Sequence, residues 1–544
     1  MKLRLLIQIA VIVSVVLLCT GFAVYSFLRL HSVENQRDFD LYSLVPQDAI
    51  AILETNHMAD LMEDINRLDC SKDNHFLYVS DLFSYLKENL HTLLQDTPHG
   101  LSMQMNKMLI SFHEPDTPEN QVLYCTLDAD DYKLVEVFVQ KYCSGSFPRK
   151  TFDYKGEEIR IYPMADGRFL AMYVTADFFV VSFQKRLVEQ VIDAYRSKKS
   201  LTSLAAFHTI RTNRHNDVAA MVYVRMKAVE MGKKTDDIHS YMRLGSWVEF
   251  EVKLNENAIY CSGMSHGVDS THTFMNVLRA QEPIEGFSGA NLPITTFLYH
   301  RWAISNKSSF FNFVTGQAYA KVAYSDEVKQ RDEEWTVFLN DFAAESFFSC
   351  LFRLKDTMNV APCAVACIPV KDEQLAERRL QSLLYTTPQD KESSSAFKSF
   401  DYTLYPKAIK YKKYALPRNS LLAQMTGIAK SDSHTYACFY RSCLLLAPDV
   451  LSLSAYIDGI ENGEVLDGTL VYEESIGSLS PVYNFVMMAD MEKILQQPEV
   501  YVRLMPNFFF RQADFFRHFM LAVQFTCVDK VVYPNIVLLY KGGR

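Results

Sequence analysis

The chain has 544 residues, 49% of them hydrophobic and 22% charged, with only 19 Gly and 18 Pro. That composition excludes a disordered or low-complexity protein and leaves little room for long linkers. The formal net charge is −9; with Lys2, Arg4 and Arg29 set aside, 52 basic residues face 64 acidic ones, a net of −12. An acidic body repels phosphate backbones, which argues against a nucleic-acid partner.

The first element in chain order is an uncharged run of 24 residues, Leu5 to Leu28, between Arg4 and Arg29. As a helix it spans roughly 36 Å, enough to cross a hydrocarbon core of about 30 Å with some tilt. Lys2 and Arg4 precede it and no second run of that length follows. Positive-inside logic therefore expects a cytoplasmic tip at 1–4, an anchor at 5–28 and an extracytoplasmic bulk. The alternatives are a cleaved secretory signal, with Gly21 and Ala23 as its small residues, and a lipid-attached Cys19. The unbroken apolar stretch through Val24, Tyr25, Phe27 and Leu28 favours retention, and Leu18 before Cys19 speaks against the lipid.

About 515 residues remain, too many for one core, so at least two domains are expected. Ten of the eleven cysteines lie in this part, most in apolar strand-like runs such as Cys125, Cys438 and Cys527. They read as small buried hydrophobes in a compartment that would permit disulfides. Cys363 and Cys367, four apart on one expected strand, cannot bridge to each other.

The order of elements recurs. FLAMYVT and FFVVSF read as a hairpin around Ala176 and Asp177, followed by an amphipathic helix from Lys185 to Arg196 with Val188, Val191, Ile192 and Tyr195 on its apolar stripe. TYACFY and CLLLA repeat the hairpin around Arg441 and Ser442, and a helix opening at Pro448 carries Leu453, Tyr456, Ile457 and Ile460, each 265 residues later. The strand Ala219 to Val224 maps onto Asn484 to Ala489 with the same offset. Strand then helix recurs as VLYCTLDADDYKLVEVFVQ and AVACIPVKDEQLAERRL. Pro46 and Pro293 each lead into a strand, and long hairpins at Trp247 to Met264 and Leu521 to Tyr540 close the two parts. The expected fold is α+β: an N-terminal transmembrane helix, then two similar, mainly antiparallel-sheet halves with inserted amphipathic helices, at 30–280 and 285–544.

The anchor, the VPQDAIAIL strand after it, and the VVSF strand running into LVEQVIDAY and SLTSLAAFHTI resemble an uncharacterised family of bacterial membrane-anchored extracytoplasmic proteins, known only as a domain of unknown function. The similarity covers most of residues 40 to 490. It implies an envelope location, in a bacterial inner membrane with the bulk facing the periplasm, and no activity, and it carries no functional residue.

Few residues offer chemistry. His208, Arg211, Arg214 and His215 gather two His and two Arg within eight positions of an acidic protein, and could contact an anion or partner; their plain reading is a solvated connector. Asp128, Asp130 and Asp131 lack the Gly and Glu of a calcium loop and read as a helix start, as do Lys371, Asp372 and Glu373. The glycines of GFSGA and GMSHG read as lone turns. No nucleophile elbow, phosphate loop or paired zinc ligands occur, so no catalytic, cofactor or metal residue is assigned. In PNFFFRQADFFRHFML a single helix would align Phe508, Phe509, Phe515, Phe516 and Phe519 as a stripe, expected in the core, with a partner or membrane contact as the alternative.

The expected function is non-catalytic: a single-pass envelope protein, held in the membrane through residues 5–28, whose ectodomain binds another protein or an envelope component. The alternative is a hydrolase or transferase acting on a cell-envelope polymer at a site between the halves.

Overall fold

The computed structural model describes residues 39–73, 75, 107–115, 117, 119–127, 149–164, 167–210, 218–226, 246–266, 274–286, 291–321, 325–354, 362–386, 411–416, 420–425, 435–501 and 505–542. The expected anchor lies outside these residues, and among them no helix is long and apolar enough to cross a membrane. The fold is α+β, and the strand pairings within each of its sheets described below are antiparallel, as hairpin-rich sequence order requires.

In chain order the early strands are β1 (Ala51–Thr55), β2 (Met108–Phe112), β3 (Gln121–Thr126), β4 (Lys150–Tyr154), β5 (Glu157–Pro163), β6 (Phe169–Val174) and β7 (Phe178–Ser182). Then come β8 (Ala220–Arg225), β9 (Trp247–Asn255), β10 (Ala258–His266), β11 (Ile284–Glu285), β12 (Thr296–Ala303), β13 (Ser346–Phe352) and β14 (Cys363–Pro369). The last are β15 (Lys413–Leu416), β16 (Thr435–Tyr440), β17 (Cys443–Ala447), β18 (Val482–Tyr483), β19 (Phe485–Asp490), β20 (Phe519–Val528) and β21 (Val531–Tyr540). Two compact units result, one drawn from Met1–Asp48 and Ser80–Ser203, the other from Ala49–Val79 and Leu204–Arg544.

The first unit holds the sheet β2–β3–β7–β6–β5–β4. Helix α1 (Lys185–Ser197) packs on β3, β6 and β7 through Leu187, Val188, Val191 and Ile192, whose spacing of three and four forms one apolar stripe. Tyr195, expected on that stripe, lies at its margin and stays more than a third exposed.

In the second unit thirteen strands run β1–β8–β9–β10–β21–β20–β19–β12–β13–β14–β17–β16–β15. One face buries Phe297, Trp302, Phe485 and Phe525, the other Tyr299, Val365, Cys438 and Leu445. Helix α2 (Glu373–Thr386) starts as expected, with Asp372 Oδ1 accepting the Leu375 N–H at 3.0 Å. Helix α3 (Val450–Glu461) covers the second face with Leu453, Tyr456, Ile457 and Ile460. Its cap is Asp449, which accepts the Ser452 N–H at 2.7 Å, so Pro448 precedes the cap and does not form the first turn.

The registers follow fixed offsets. Ala171↔Ser182 through Val174↔Phe179 become, 265 residues on, Tyr436↔Ala447 through Phe439↔Leu444. Ile52↔Tyr223 and the Pro46–Ser200 bridge correspond to Tyr299↔Met488 and Pro293–Val465, with offsets of 247 and 265. The hairpins β9–β10 and β20–β21 match at 273, from Asn255↔Ala258 onto Val528↔Val531.

Two local expectations give way to tertiary context. Gly263 lies mid-strand in β10 and not in a turn; a Cβ there would come within 1.9 Å of the Glu249 carbonyl oxygen, so close backbone approach demands glycine. The phenylalanine segment is not one helix but α4 (Asn507–Arg511), α5 (Ala513–Phe516) and the start of β20. Gln512, between the two helices, leaves helical geometry at ψ 35° and breaks the stripe.

Candidate functional site

The most chemically suggestive arrangement lies in the first unit. On β2, alternation places Leu109 and Ser111 on one face, and His113 continues it because its N–H still bonds Asn120 O at 2.9 Å. On β3, Tyr124 pairs with Leu109, which sets its ring diagonally beside Ser111. Ser111 Oγ meets His113 Nε2 at 2.8 Å and Tyr124 Oη at 2.9 Å. On the far side of the imidazole, Asp48 Oδ1 is 3.5 Å from Nδ1. A carboxylate, an imidazole and a hydroxyl thus stand in the order used to activate a serine nucleophile.

Burial decides what this order can do. Ser111 is 0% exposed, His113 1% and Tyr124 0%, whereas the Asp48 side chain is 61% exposed. The Oγ spends its remaining directions on a tyrosine hydroxyl, and no carbonyl carbon can come to the roughly 3 Å that attack requires. Burial raises the Tyr124 phenol well above its ordinary range, the Ser111 hydrogen bond opposes this and the Asp48 charge adds to it. The Ser111–His113–Tyr124 group is therefore a sealed polar strut within the core, whose imidazole Nδ1 stands 3.5 Å from Asp48 Oδ1 without a hydrogen bond, and not a working triad.

Two further buried polar pairs belong to the second unit. His266 Nε2 and Glu249 Oε1 lie 3.1 Å apart across β9 and β10, both nearly buried. On β15, Lys413 faces Cys438, and its Nζ donates to Ser454 Oγ on α3 at 3.0 Å. Burial draws the Lys413 amine down and pushes the Asp458 carboxyl up, while Lys413 holds that carboxyl back. Among the described residues no three His, Cys, Asp or Glu gather as metal ligands.

Arg211, Arg214 and His215 lie outside the described residues; His208 falls on the helix Ala205–Ile210. Phe515, Phe516 and Phe519 are buried in the second unit's larger core, and Phe508 and Phe509 pack against it partly buried. The rings contact one another, Phe509 with Phe516 and Phe515 with Phe519 both at 4.7 Å. Sequence reading missed the Ser111–His113–Asp48 chain because nothing marks it: Ser-x-His on a strand is common, and Asp48 is more than sixty residues away.

No family model matches the chain, and no curated protein and no solved structure is similar to it.

Proposed function

We propose that this is a membrane-anchored extracytoplasmic protein, held by residues 5–28, whose ectodomain binds another protein or an envelope component and catalyses nothing. The observation that carries the reading is the sealing of Ser111: the described Ser–His–Asp alignment has its hydroxyl fully buried and bonded to Tyr124. An acidic body with an N-terminal apolar run suits retention at a membrane and selective protein contact.

The same proposal includes an internal duplication, with repeats at 30–280 and 285–544. The fixed register offsets support it, since unrelated segments would not share pairing partners across hairpin, helix and closing strands. Repeat boundaries describe ancestry, and compactness divides the chain at other positions. The resemblance to the uncharacterised anchored family accords with this reading.

A photo-crosslinker carried by the full chain in intact cells tests the binding role. A discrete, saturable adduct with one macromolecule supports it; uniform labelling of neighbours in proportion to abundance counts against it. The alternative, a hydrolase or transferase with a site between the halves, draws no support from the buried Ser111–His113–Asp48 order, and a serine-directed phosphonate tests that order.

A further inference from the structure

Five free cysteines sit on four adjacent strands of the second unit: Cys350 on β13, Cys363 and Cys367 on β14, Cys438 on β16 and Cys443 on β17. Strand alternation sends them all to the face beneath α3. Cys367 and Cys443 lie beside each other there. The register explains it. Cys367 faces Leu445 and Cys443 faces Pro369, so the two thiols are diagonal neighbours across β14 and β17.

The pair is asymmetric. Cys367 is buried, as are Cys350, Cys363 and Cys438, whereas Cys443 is partly open to solvent. It is the first residue of β17, directly after Arg441 and Ser442, whose φ angles of 49° and 58° form a tight two-residue turn. The neighbouring Cys367 thiol holds the Cys443 thiol below its usual range, while burial drives Cys367 far above its own. An accessible, acidified thiol backed by a buried protonated one is the arrangement that favours nucleophilic entry at the first and resolution at the second.

We propose that Cys443 and Cys367 form a redox-active dithiol, in which Cys443 attacks a low-molecular-weight disulfide and Cys367 resolves the product. The Cys443 thiolate attacks one sulfur of R–S–S–R, forming Cys443–S–S–R and releasing a thiolate that takes up a proton. Cys367, losing its own proton to solvent, then attacks Cys443 Sγ and expels the second thiolate, which is protonated in turn. One protein disulfide forms, two R–SH leave, and the added disulfide is the oxidant.

Closure asks the strand ends to draw together. Diagonal positions across a sheet are about 7–8 Å apart at Cα, slightly beyond the reach of a relaxed disulfide. The rung joining Pro369 to Cys443 can give, because it closes the β14 ladder beside a turn and proline brings no N–H to it. Such a bond is easily reduced again, which suits a reversible site. The register-equivalent positions in the first unit hold Tyr124 and Phe178, so the dithiol belongs to one half only.

The test uses the reduced full chain incubated with glutathione disulfide, quenched by alkylation and mapped by peptide mass spectrometry. The expected product is a linked pair of peptides carrying Cys367 and Cys443, with glutathione passing transiently through Cys443. In Cys367→Ser the glutathione adduct should persist on Cys443 at roughly tenfold its level in the parent, and Cys350→Ser should behave as the parent does. Failure of both thiols to react in the folded chain, a stable Cys443 adduct in the parent, or a link from either cysteine to a different partner would overturn the proposal. Mapping the parent product needs no variant, so a Cys367→Ser chain that misfolds does not blunt the result.

Discussion

Ser262 on β10 lies directly opposite Asn535 on β21, and its Oγ donates to Asn535 Oδ1 at 3.2 Å. Under the 273-residue offset that relates the two closing hairpins, these residues are each other's counterparts. Under the proposed duplication their rung is the centre of a local pseudo-two-fold axis, on which corresponding strands meet antiparallel as they would in a dimer with an isologous interface. A double-mutant cycle of Ser262→Ala and Asn535→Ala should give a coupling of about 0.5–1 kcal/mol, as for a partly exposed neutral hydrogen bond. Urea unfolding of the four proteins measures it; strict additivity would show that the contact does not form.

The helices over the hairpins β6–β7 and β16–β17 should respond alike. Val188 and Leu453, and Ile192 and Ile457, are all buried on the sheet-facing stripes of α1 and α3. Replacing Ile192 or Ile457 by Ala should each cost about 2–5 kcal/mol through lost burial and a residual cavity. Denaturant midpoints of the two variants check this, and a negligible loss at either position would place that residue outside a core.

The phenylalanine segment predicts core behaviour although its helix is broken. Phe516 is 2% exposed and touches Phe508, Phe509 and Phe515, so Phe516→Ala should remove about 3–5 kcal/mol. Differential scanning calorimetry of the full chain would register a clear drop in Tm. An unchanged melting profile would reassign the segment to a surface.

Acid should weaken the protein through His300 and His518. Burial lowers the His300 pKa to about 4, and its ring is packed beside Phe347 and Phe485. His518 is also lowered, first by burial and then by stacked His75 and the nearby Arg517 and Lys541, with Glu492 opposing. In the unfolded chain both rings titrate near 6.5. The folded state binds fewer protons below that value, so the penalty is absent above about pH 6.5 and grows as the pH falls toward 4. His300→Phe should flatten this part of the stability profile, read from urea midpoints between pH 7.5 and 4.5, whereas a profile as steep as the parent's would remove His300 from the account.

Hairpins and helices were legible in the sequence because period and turn chemistry act locally: Val188, Val191 and Ile192 announce α1, and Leu453, Tyr456 and Ile457 announce α3. Breaks inside apolar runs were not. Gln512 interrupts the phenylalanine helix and Gly263 sits inside a strand, each for a tertiary reason that spacing does not encode. The Ser111 chain and the Cys367–Cys443 pair were equally invisible, since both arise from register between strands and from Asp48 folding back on β2. Apolar context could say that most of the cysteines were buried; only pairing says which two are neighbours.

The central claim, that this is a binding protein in which the Ser–His–Asp alignment is a sealed strut, is tested most directly by a fluorophosphonate probe on the folded full chain. Mass spectrometry should find Ser111 unmodified, with Ser111→Ala indistinguishable from the parent in labelling. Stoichiometric, heat-sensitive phosphonylation of Ser111 that disappears in His113→Ala would show an open, activated nucleophile and contradict the claim.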